Sequence, residues 1–383
     1  MESIKSKNIA IIIGVYEGHF TASVEIVKEL VELGHNVTCF VLDNFSERLK
    51  KTGAKLKIFS IDKSDLYKSN NSVICLTITR SIDAILTEAV KNPEKYEYLV
   101  VDSLLDGNEM NKIFKAQVVI SIYTAMIAYL PPEIIKQFNQ EISQLMIPVN
   151  KKFNLNMRDY VIMHSVGDAK YKLMLTSKEF HLSGDLLDKS FYFIGPSTIE
   201  KRPIDESFSF KKDLKKKLIF ISLGTLYNNN LDFYKICIEA FGDSEEFQVI
   251  MSVGKVIDLK KFENVPKNFH IYNFLPQHQV LKLTDIFISH GGLNSLNERL
   301  ILNEKPIIII LQEGDQYMNA KAIDDFGAGI SLFKDTLNVK KLKDAVNSII
   351  TNEEKYCKGV QKILKSFKDA RKERENVLKK FLV

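Results

Sequence analysis

A glycine-rich segment that follows an apolar run carries residue types suited to binding phosphate. It spans His290-Gly-Gly-Leu-Asn-Ser-Leu-Asn-Glu298, and the apolar residues 286–289 before it favour a buried strand. Glycines allow a backbone to approach a ligand closely, and a helix N-terminus offers N–H groups and the positive end of its dipole. The same pattern is also explained without a ligand, by a strand, a glycine turn and a helix capped by Asn294 or Ser295.

Further polar residues extend this pattern towards a nucleotide-sugar. His290 can donate to a phosphate oxygen, and Glu298, one turn inside the helix, can accept from a ribose diol. After the next apolar run, residues 306–311, come Asp315 and Gln316, which can bond neighbouring sugar hydroxyls and can equally cap a helix. The spacing of the whole set, rather than any single motif, favours a ligand site.

Two residues of the first half occupy comparable positions. His19 follows the apolar residues 9–13 through Gly14-Val-Tyr-Glu-Gly18, and Asp102 ends the run that begins at residue 98. In an open α/β sheet, ligands bind outside the carboxyl ends of the strands, where both side chains are expected. A capping or merely exposed histidine and a turn-capping aspartate are the alternatives. Asp106 competes with Asp102 but lies further into the loop.

The elements that would position these residues predict the α/β class. Short apolar runs alternate with amphipathic helical stretches, at residues 9–13, 37–42, 56–61, 98–102 and 118–122, with a helix at 23–33. The alternation restarts in the second half, with strands predicted at residues 218–222, 248–253, 285–289 and 307–311 and helices at 232–241 and 294–302. Continuous Val/Ile runs between helices indicate parallel sheets that are covered on both faces.

The length of 383 residues predicts two domains. Gly195-Pro196 and the polar stretch after it place the boundary, giving an N-terminal domain at 1–197, a linker at 198–217 and a C-terminal domain at 218–360. Residues 361–383 have helical spacing and are expected to pack back on the N-terminal domain. A membrane-surface helix is the alternative.

Composition excludes several other classes of protein. The net charge of +5 is small, and the Lys-rich stretches 211–217 and 368–380 are interleaved with other residues, so we expect solvated faces and no nucleic-acid partner. No apolar run approaches the roughly 20 residues of a membrane span, and no signal segment is visible. The cysteines form no CxxC pair and are expected to be reduced thiols of a cytoplasmic protein; they are Cys39, Cys75, Cys237 and Cys357.

The polar set as a whole resembles a known signature. Phe274-x-Pro-Gln277, the 290–298 segment, Pro306 and Asp315-Gln316 resemble the donor-binding signature of the UDP-glycosyltransferases, in particular the bacterial macrolide glycosyltransferases. Residues 221–225 and 193–197 are similar to that branch's phosphate-side loop and interdomain junction. The resemblance runs from about residue 8 to about residue 332. It implies the GT-B architecture, in which two facing Rossmann-like domains form a donor and acceptor cleft.

The resemblance implies a role for each matching donor-side residue. Phe274 would stack on the uracil, with less area than the commoner Trp, and Gln277 would lie beside the base and ribose. Glu298 would hold the ribose 2′ and 3′ hydroxyls, favouring UDP over a deoxyribose donor. Asp315 and Gln316 would hold the transferred sugar. The diphosphate would contact Gly224, Thr225, His290, Gly292, Asn294 and Ser295.

The resemblance also assigns the catalytic pair. His19 would be the general base that deprotonates the acceptor hydroxyl, and Asp102 would fix its tautomer. The family continues with Asn-Pro where this chain has Thr21-Ala22, a departure expected at the helix start rather than at the base. The implied reaction is inverting transfer of a hexose, with glucose expected, from a UDP-sugar to a small hydrophobic alcohol such as a macrolide or phenol. It needs no metal or other cofactor.

Other functions on the same fold remain alternatives. A UDP-sugar epimerase or a lipid glycosyltransferase would use the same donor half, and a non-catalytic UDP-sugar-binding protein would be expected to lose His19 or Asp102. A nicotinamide dehydrogenase is disfavoured, because no Gly-x-Gly-x-x-Gly follows either domain's first strand. The acceptor is expected to contact loops at 66–79 and 125–153, whose apolar residues are equally compatible with a core. A monomer or weak dimer is expected.

Overall fold

A computed structural model describes residues 5–62, 64, 71–124, 132–157, 169–197, 204–226, 228–312 and 316–382, without the side chains of 71, 132–139 and 380–382. The chain forms two compact units. The first consists of Met1–Ser197 together with Phe367–Val383, and the second is Thr198–Ser366. The chain therefore leaves the first unit once and returns to it near its C-terminus.

The first unit is an α/β structure around a parallel sheet. Its described strands are β1 (Asn8–Ile12), β2 (Asn36–Leu42), β3 (Lys55–Phe59), β4 (Tyr98–Asp102), β5 (Val118–Tyr123), β6 (Tyr171–Met174) and β7 (Phe191–Phe193). Its helices are α1 (Glu17–Glu32), α2 (Ser46–Lys50), α3 (Asn71–Lys91), α4 (Gly107–Phe114) and α5 (Pro132–Phe153). The strands pair in the order β3-β2-β1-β4-β5-β6-β7, and the paired strands run parallel.

The second unit repeats this plan. Its described strands are β8 (Lys217–Ser222), β9 (Phe247–Ser252), β10 (Phe269–Tyr272), β11 (Ile286–Ser289), β12 (Ile307–Leu311) and β13 (Gly329–Phe333). Its helices are α6 (Leu231–Phe241), α7 (Gln277–Leu283), α8 (Leu293–Asn303), α9 (Gln316–Phe326) and α10 (Val339–Thr351), and the long α11 (Glu353–Leu382) starts in this unit and ends in the first. The strand order is β10-β9-β8-β11-β12-β13.

The apolar runs become central strands because both faces of each sheet are covered. Every residue of β12 is at most 3% exposed, and Ile9 to Ile12 of β1 are at most 1% exposed. Strands buried on both faces lose the polar alternation of a half-exposed sheet. The α/β prediction is confirmed. Four strands that the sequence analysis did not predict are short or interrupted by polar residues, and they are β6, β7, β10 and β13.

Two sequence predictions about local structure are wrong. Helix α1 begins at Glu17 rather than residue 23, so His19 and Thr21-Ala22 lie inside the helix instead of before it. Much of the proposed acceptor loops is helical, since α3 covers 71–91 and α5 covers 132–153. Of the apolar residues proposed there, Tyr123 and Met146 are buried, whereas residues 65–70 and 125–131 lie outside the described part. Burial favours the core interpretation for Tyr123, at the end of β5, and for Met146, in α5.

The cysteine thiols are largely buried. All four cysteines are free thiols, three of them buried and Cys357 partly so. Burial raises the pKa of both Cys39 and Cys75 to about 12, so neither is a reactive thiolate near neutral pH. Among the described helices, none combines the length and apolar character that crossing a bilayer requires.

The C-terminal part of α11 is attached to α1 by two arginines. Arg371 forms an ion pair with Glu25 at 3.2 Å and donates to the carbonyl oxygen of Pro196. The side chain of Arg374 is only 3% exposed; its Nε lies 2.7 Å from Glu29 Oε2 and its Nη2 lies 3.3 Å from Glu25 Oε2. Burial raises the pKa of Glu29, and the charge of Arg374 opposes that rise. This attachment braces the helix that carries His19.

We expect Arg374→Met to lower the free energy of unfolding by roughly 1–3 kcal/mol, because the partly buried Glu29 carboxylate loses its hydrogen-bonded cation and Glu25 keeps only Arg371. Lys372→Met is the matched control. Lys372 pairs with Asp369 on the same helix, but the two side chains are 74% and 55% exposed, so a change within about 0.5 kcal/mol is expected. Urea unfolding followed by circular dichroism measures both. Equal changes in the free energy of unfolding would contradict a stabilising role for the ion pairs of Arg374.

Candidate active site

The candidate site of the first unit lies where the strand order of the first sheet reverses. The chain leaves β1 towards β2 on one side, and leaves β4 towards β5 on the other. The carboxyl ends of these two neighbours therefore open a crevice, which is where open α/β sheets bind ligands. His19 lies in the first turn of α1, just after β1, and Asp102 is the last residue of β4. Topology thus brings together two residues that are 83 positions apart.

His19 and Asp102 form a close pair. Nδ1 of His19 lies 2.9 Å and 3.0 Å from the two carboxylate oxygens of Asp102. The Asp102 side chain is fully buried, that of His19 is 19% exposed, and Asp102 Oδ1 also accepts from the Leu104 N–H at 2.9 Å. The carboxylate favours the tautomer with hydrogen on Nδ1, which leaves the Nε2 lone pair available as a base. The sequence-predicted pair is therefore assembled in the geometry of a His–Asp dyad.

Thr124 is a third member that sequence reasoning missed. Its Oγ1 lies 2.7 Å from Nδ1 of His19, so this nitrogen has both a carboxylate and a hydroxyl beside it. Thr124 directly follows β5, the neighbour of β4, and a polar residue at that strand end was the available signal. The competitor Asp106 has a different role, because it is the N-cap of α4 and accepts from the Glu109 N–H.

A second candidate site occupies the same position in the second sheet. Strands β8 and β11 are neighbours at the reversal, and their last residues, Ser222 and Ser289, are paired in register. Gly224 and the exposed Thr225 follow β8. His290 follows β11, and α8 then begins at Leu293 with Gly292 as its N-cap. The predicted N-cap residues Asn294 and Ser295 lie instead in the first turn, and no side chain caps this helix end.

His290 is packed against glycine backbone on both sides. A Cβ atom added to Gly224 would lie 2.5 Å from its Cε1, and one added to Gly292 would lie 2.5 Å from its Nε2. Desolvation lowers the pKa of His290 to about 4, although a hydrogen bond with the Ser222 backbone opposes the shift. The imidazole is therefore neutral near pH 7. In this form the ring carries a single N–H, which can be donated to the Ser222 carbonyl or to a phosphate oxygen but not fully to both.

A buried polar triad joins α7 to α8. Gln277, the first residue of α7, donates from Nε2 to Glu298 Oε2 at 2.7 Å and to Ser295 Oγ at 3.1 Å. Ser295 and Glu298 are 7% and 5% exposed. The bonds hold the Glu298 carboxylate beside the N-terminal turn of α8. Three residues that the sequence assigned to base, ribose and phosphate are thus in direct contact.

Phe274 lies just before this triad and is unlike a core residue. Its side chain is 64% exposed, and Lys255 Nζ is 5.8 Å from the ring centroid. An exposed aromatic face at the carboxyl edge of a sheet is suited to stacking on a flat ring. Lys255 adds a positive charge beside it, which the sequence analysis did not identify.

The two sugar-side residues are placed less completely. Gln316 is the first residue of α9; it is 3% exposed, and its Oε1 accepts from the Gln312 N–H at 2.9 Å. Asp315 lies outside the described residues. Within the described part of the chain, no group of three or more His, Cys, Asp or Glu side chains is arranged to hold a metal ion. The assembled set of amides, hydroxyls, neutral imidazole and a helix N-terminus is suited to phosphates and diols.

Comparison with known proteins supplies independent findings. Residues 219–374 match the model of the glycosyltransferase family 28 C-terminal domain. The chain is 29% identical over 364 residues to the NDP-glycosyltransferase YjiC of Bacillus subtilis, covering 91% of each chain. It is 26% identical to the uncharacterized UDP-glucosyltransferase YojK of the same organism, covering 92% of each. It is 20% identical to the oleandomycin glycosyltransferase of Streptomyces antibioticus, covering 88% of this chain and 82% of that one.

Solved structures match over nearly the whole chain. The glycosyltransferase of kitacinnamycin superposes with a TM-score of 0.80 at 20% identity, covering 98% of this chain and 99% of that one. The calicheamicin glycosyltransferase CalG4 gives a TM-score of 0.73 at 18% identity, covering 97% of each. These likenesses show that the fold is GT-B.

The two most desolvated histidines predict how stability depends on pH. Burial lowers the pKa of His181 and of His290 from 6.5 to about 4. Between these values the unfolded chain binds protons that the folded chain does not. Each histidine therefore leaves stability unaffected above about pH 6.5 and lowers it as the pH falls towards 4.

His181→Asn tests this away from the glycine turns, and it can keep an acceptor for the Ser183 N–H that His181 Nδ1 binds at 3.1 Å. Between pH 7 and 5 we expect the wild-type protein to lose about 2 kcal/mol more stability than this variant. Urea unfolding at the two pH values measures the difference. An identical pH dependence of the two proteins would show that His181 is not buried in its neutral form.

Proposed function

We propose that this chain transfers glucose from UDP-glucose to a hydroxyl group of a small hydrophobic acceptor, with inversion at C1. The chain is a glycosyltransferase of the GT-B fold, in the macrolide-glycosyltransferase-like branch of the UDP-glycosyltransferases. The observation that carries this proposal is the His19–Asp102 pair, whose atoms lie 2.9 Å apart at the carboxyl end of β1 and β4. A protein that only bound the donor would have no use for an oriented base.

The proposed reaction is a single displacement. Nε2 of His19 takes the proton of the acceptor hydroxyl, the acceptor oxygen bonds to C1 of the sugar, and the bond from C1 to the diphosphate oxygen breaks. Because the nucleophile enters opposite the leaving group, an α-linked donor yields a β-glycoside. Asp102 stabilises the imidazolium that forms on His19, and the Leu104 N–H holds Asp102 in place.

Departure of UDP places additional negative charge on the diphosphate. The N–H groups at the start of α8 have no acceptors within the helix, and the positive end of the helix dipole lies there. Neutral His290 and the hydroxyl of Thr225 add donors beside them. Donors already in position stabilise developing charge without reorganisation, and this scheme assigns no step to a metal ion.

The donor side supports a ribonucleotide. Glu298, held by Gln277 at 2.7 Å, is the acceptor proposed for the ribose 2′ and 3′ hydroxyls. Phe274 offers its exposed face to the uracil. Gln316 and Asp315 are proposed to bind the sugar hydroxyls, and the relative YojK carries a UDP-glucosyltransferase name. These points together make UDP-glucose the proposed donor.

The proposed acceptor is an apolar alcohol. One relative is named as an oleandomycin glycosyltransferase, and the solved structures that match carry names of other natural-product glycosyltransferases. The decisive experiment incubates the protein with UDP-glucose and a panel of macrolides, phenols and sterols, and measures a gain of one hexose by mass spectrometry. Conversion of UDP-glucose to another UDP-hexose without any transfer would favour an epimerase instead.

Substitution of the base predicts separable effects on catalysis and on donor binding. We expect His19→Ala and Asp102→Asn each to lower kcat by about 10²–10⁴-fold, because one removes the base and the other its tautomer control. The Kd for UDP should stay unchanged. Initial rates with UDP-glucose and a phenol measure kcat, and EDTA should leave them unchanged because the scheme has no metal step. Calorimetry measures the Kd for UDP. Wild-type rates in His19→Ala would refute the assignment of the base.

Glu298 predicts discrimination between ribose and deoxyribose donors. Wild-type protein should use UDP-glucose in preference to 2′-deoxy-UDP-glucose, since the deoxy donor gives the buried Glu298 carboxylate one hydroxyl partner fewer. We expect Glu298→Gln to reduce that preference in kcat/KM by roughly tenfold or more. Glu304→Gln, at the C-terminal end of the same helix, is the control and should keep the wild-type ratio. A preference that survives in Glu298→Gln would place the ribose elsewhere.

A further inference from the structure

The two turns that follow β8 and β11 are built in the same way. Strand β8 continues as Ser222-Leu223-Gly224, and β11 continues as Ser289-His290-Gly291. In each turn the serine Oγ accepts from the glycine N–H at 3.3 Å. The two serines are also paired in register across the strands. The similarity is therefore a property of adjacent positions in one sheet.

Both glycines have a backbone that other residues rarely adopt. Their φ angles are +76° at Gly224 and +82° at Gly291. Added Cβ atoms would also clash, with the His290 ring at Gly224 and with Ile309 Cγ2, 2.6 Å away, at Gly291. The positive φ turns the next peptide group, and its orientation then depends on what the glycine carbonyl binds.

A buried asparagine binds each of these carbonyl groups. Asn228 donates from Nδ2 to the Gly224 oxygen at 2.7 Å, and Asn319 donates from Nδ2 to the Gly291 oxygen at 2.9 Å. Asn228 is 2% exposed and Asn319 is fully buried. The two come from different elements, the loop before α6 and the helix α9. Neither was singled out by the sequence.

We propose that Asn228 and Asn319 are positioning residues that orient the backbone N–H donors for the diphosphate, an inference that rests on the proposed donor site. In a planar trans peptide, the C=O and the following N–H point in opposite directions. Holding the Gly224 oxygen towards Asn228 therefore turns the Thr225 N–H away from it. Holding the Gly291 oxygen towards Asn319 does the same for the Gly292 N–H.

This arrangement has an electrostatic consequence. A carbonyl oxygen turned towards the ligand would repel an anionic diphosphate, whereas an N–H group attracts it. Because His290 is neutral near pH 7, such backbone donors contribute much of the attraction. Loss of either asparagine frees a peptide to rotate and should weaken diphosphate binding specifically. Recognition of the nucleoside, through Phe274 and Glu298, does not depend on these peptides.

The test compares UDP with uridine, which lacks the diphosphate. Calorimetry gives the Kd of each for the wild type and for Asn228→Ser and Asn319→Ser. We expect the ratio of the uridine Kd to the UDP Kd to fall by about tenfold in either variant, with uridine binding unchanged. Asn319→Leu and Asn228→Leu, which keep the side-chain volume without its donor, should show the same loss and replace the serine variants if those do not fold.

Asn268→Ser is the matched control. Asn268 donates from Nδ2 to the Phe241 and Phe247 oxygens at 2.8 Å and 3.1 Å in the same unit, before β10 and away from both turns. The Asn268→Ser substitution should lower the melting temperature and leave the ratio of the uridine Kd to the UDP Kd unchanged. If the wild type distinguishes UDP from uridine and the variants keep its ratio, the positioning role is refuted. If the wild type binds both equally, the proposed diphosphate site itself is wrong.

Discussion

The hydrogen bonding of β1 to β4 and of β8 to β11 is the constraint on which the candidate site of each unit depends. In each sheet these two strands are neighbours, but the chain leaves their carboxyl ends towards opposite sides of the sheet. A crevice therefore opens between the two strand ends. His19 and Asp102 meet only because β1 pairs with β4. Gly224 and His290 meet only because Ser222 pairs with Ser289. A shift of one residue in either pairing would turn these strand ends to the opposite face.

The candidate sites of the two units use charge differently. The first pairs an imidazole with a fully buried carboxylate, which is suited to receiving a proton and stabilising the resulting cation. The second presents neutral donors, since desolvation lowers the pKa of His290 to about 4. Neutral donors at a helix N-terminus suit the negative charge that the proposed reaction would develop on a leaving diphosphate.

Side chains behind the site hold its reactive groups in place. Thr124 and the Leu104 N–H act on the His19–Asp102 pair, and the arginines of α11 act on the helix that carries His19. In the second unit, Asn228 and Asn319 hold the glycine turns. Such contacts matter because catalytic groups must be held within about half an ångström of their productive positions.

The amino-acid sequence by itself determined the α/β class, most strand positions and the residues worth testing, because continuous apolar runs, glycine turns and polar residues at strand ends are local signals. It identified His19, Asp102 and the 290–298 segment before any contact was known. The resemblance had already assigned Asp102 to His19. Only the tertiary structure decided that Asp106 instead caps α4, that Gln277 binds Glu298, and that Thr124 contacts His19 while Asn228 and Asn319 bind glycine carbonyls. These contacts join residues far apart in the chain, and no local pattern encodes which buried amide faces which carbonyl. Strand pairing and burial made that choice.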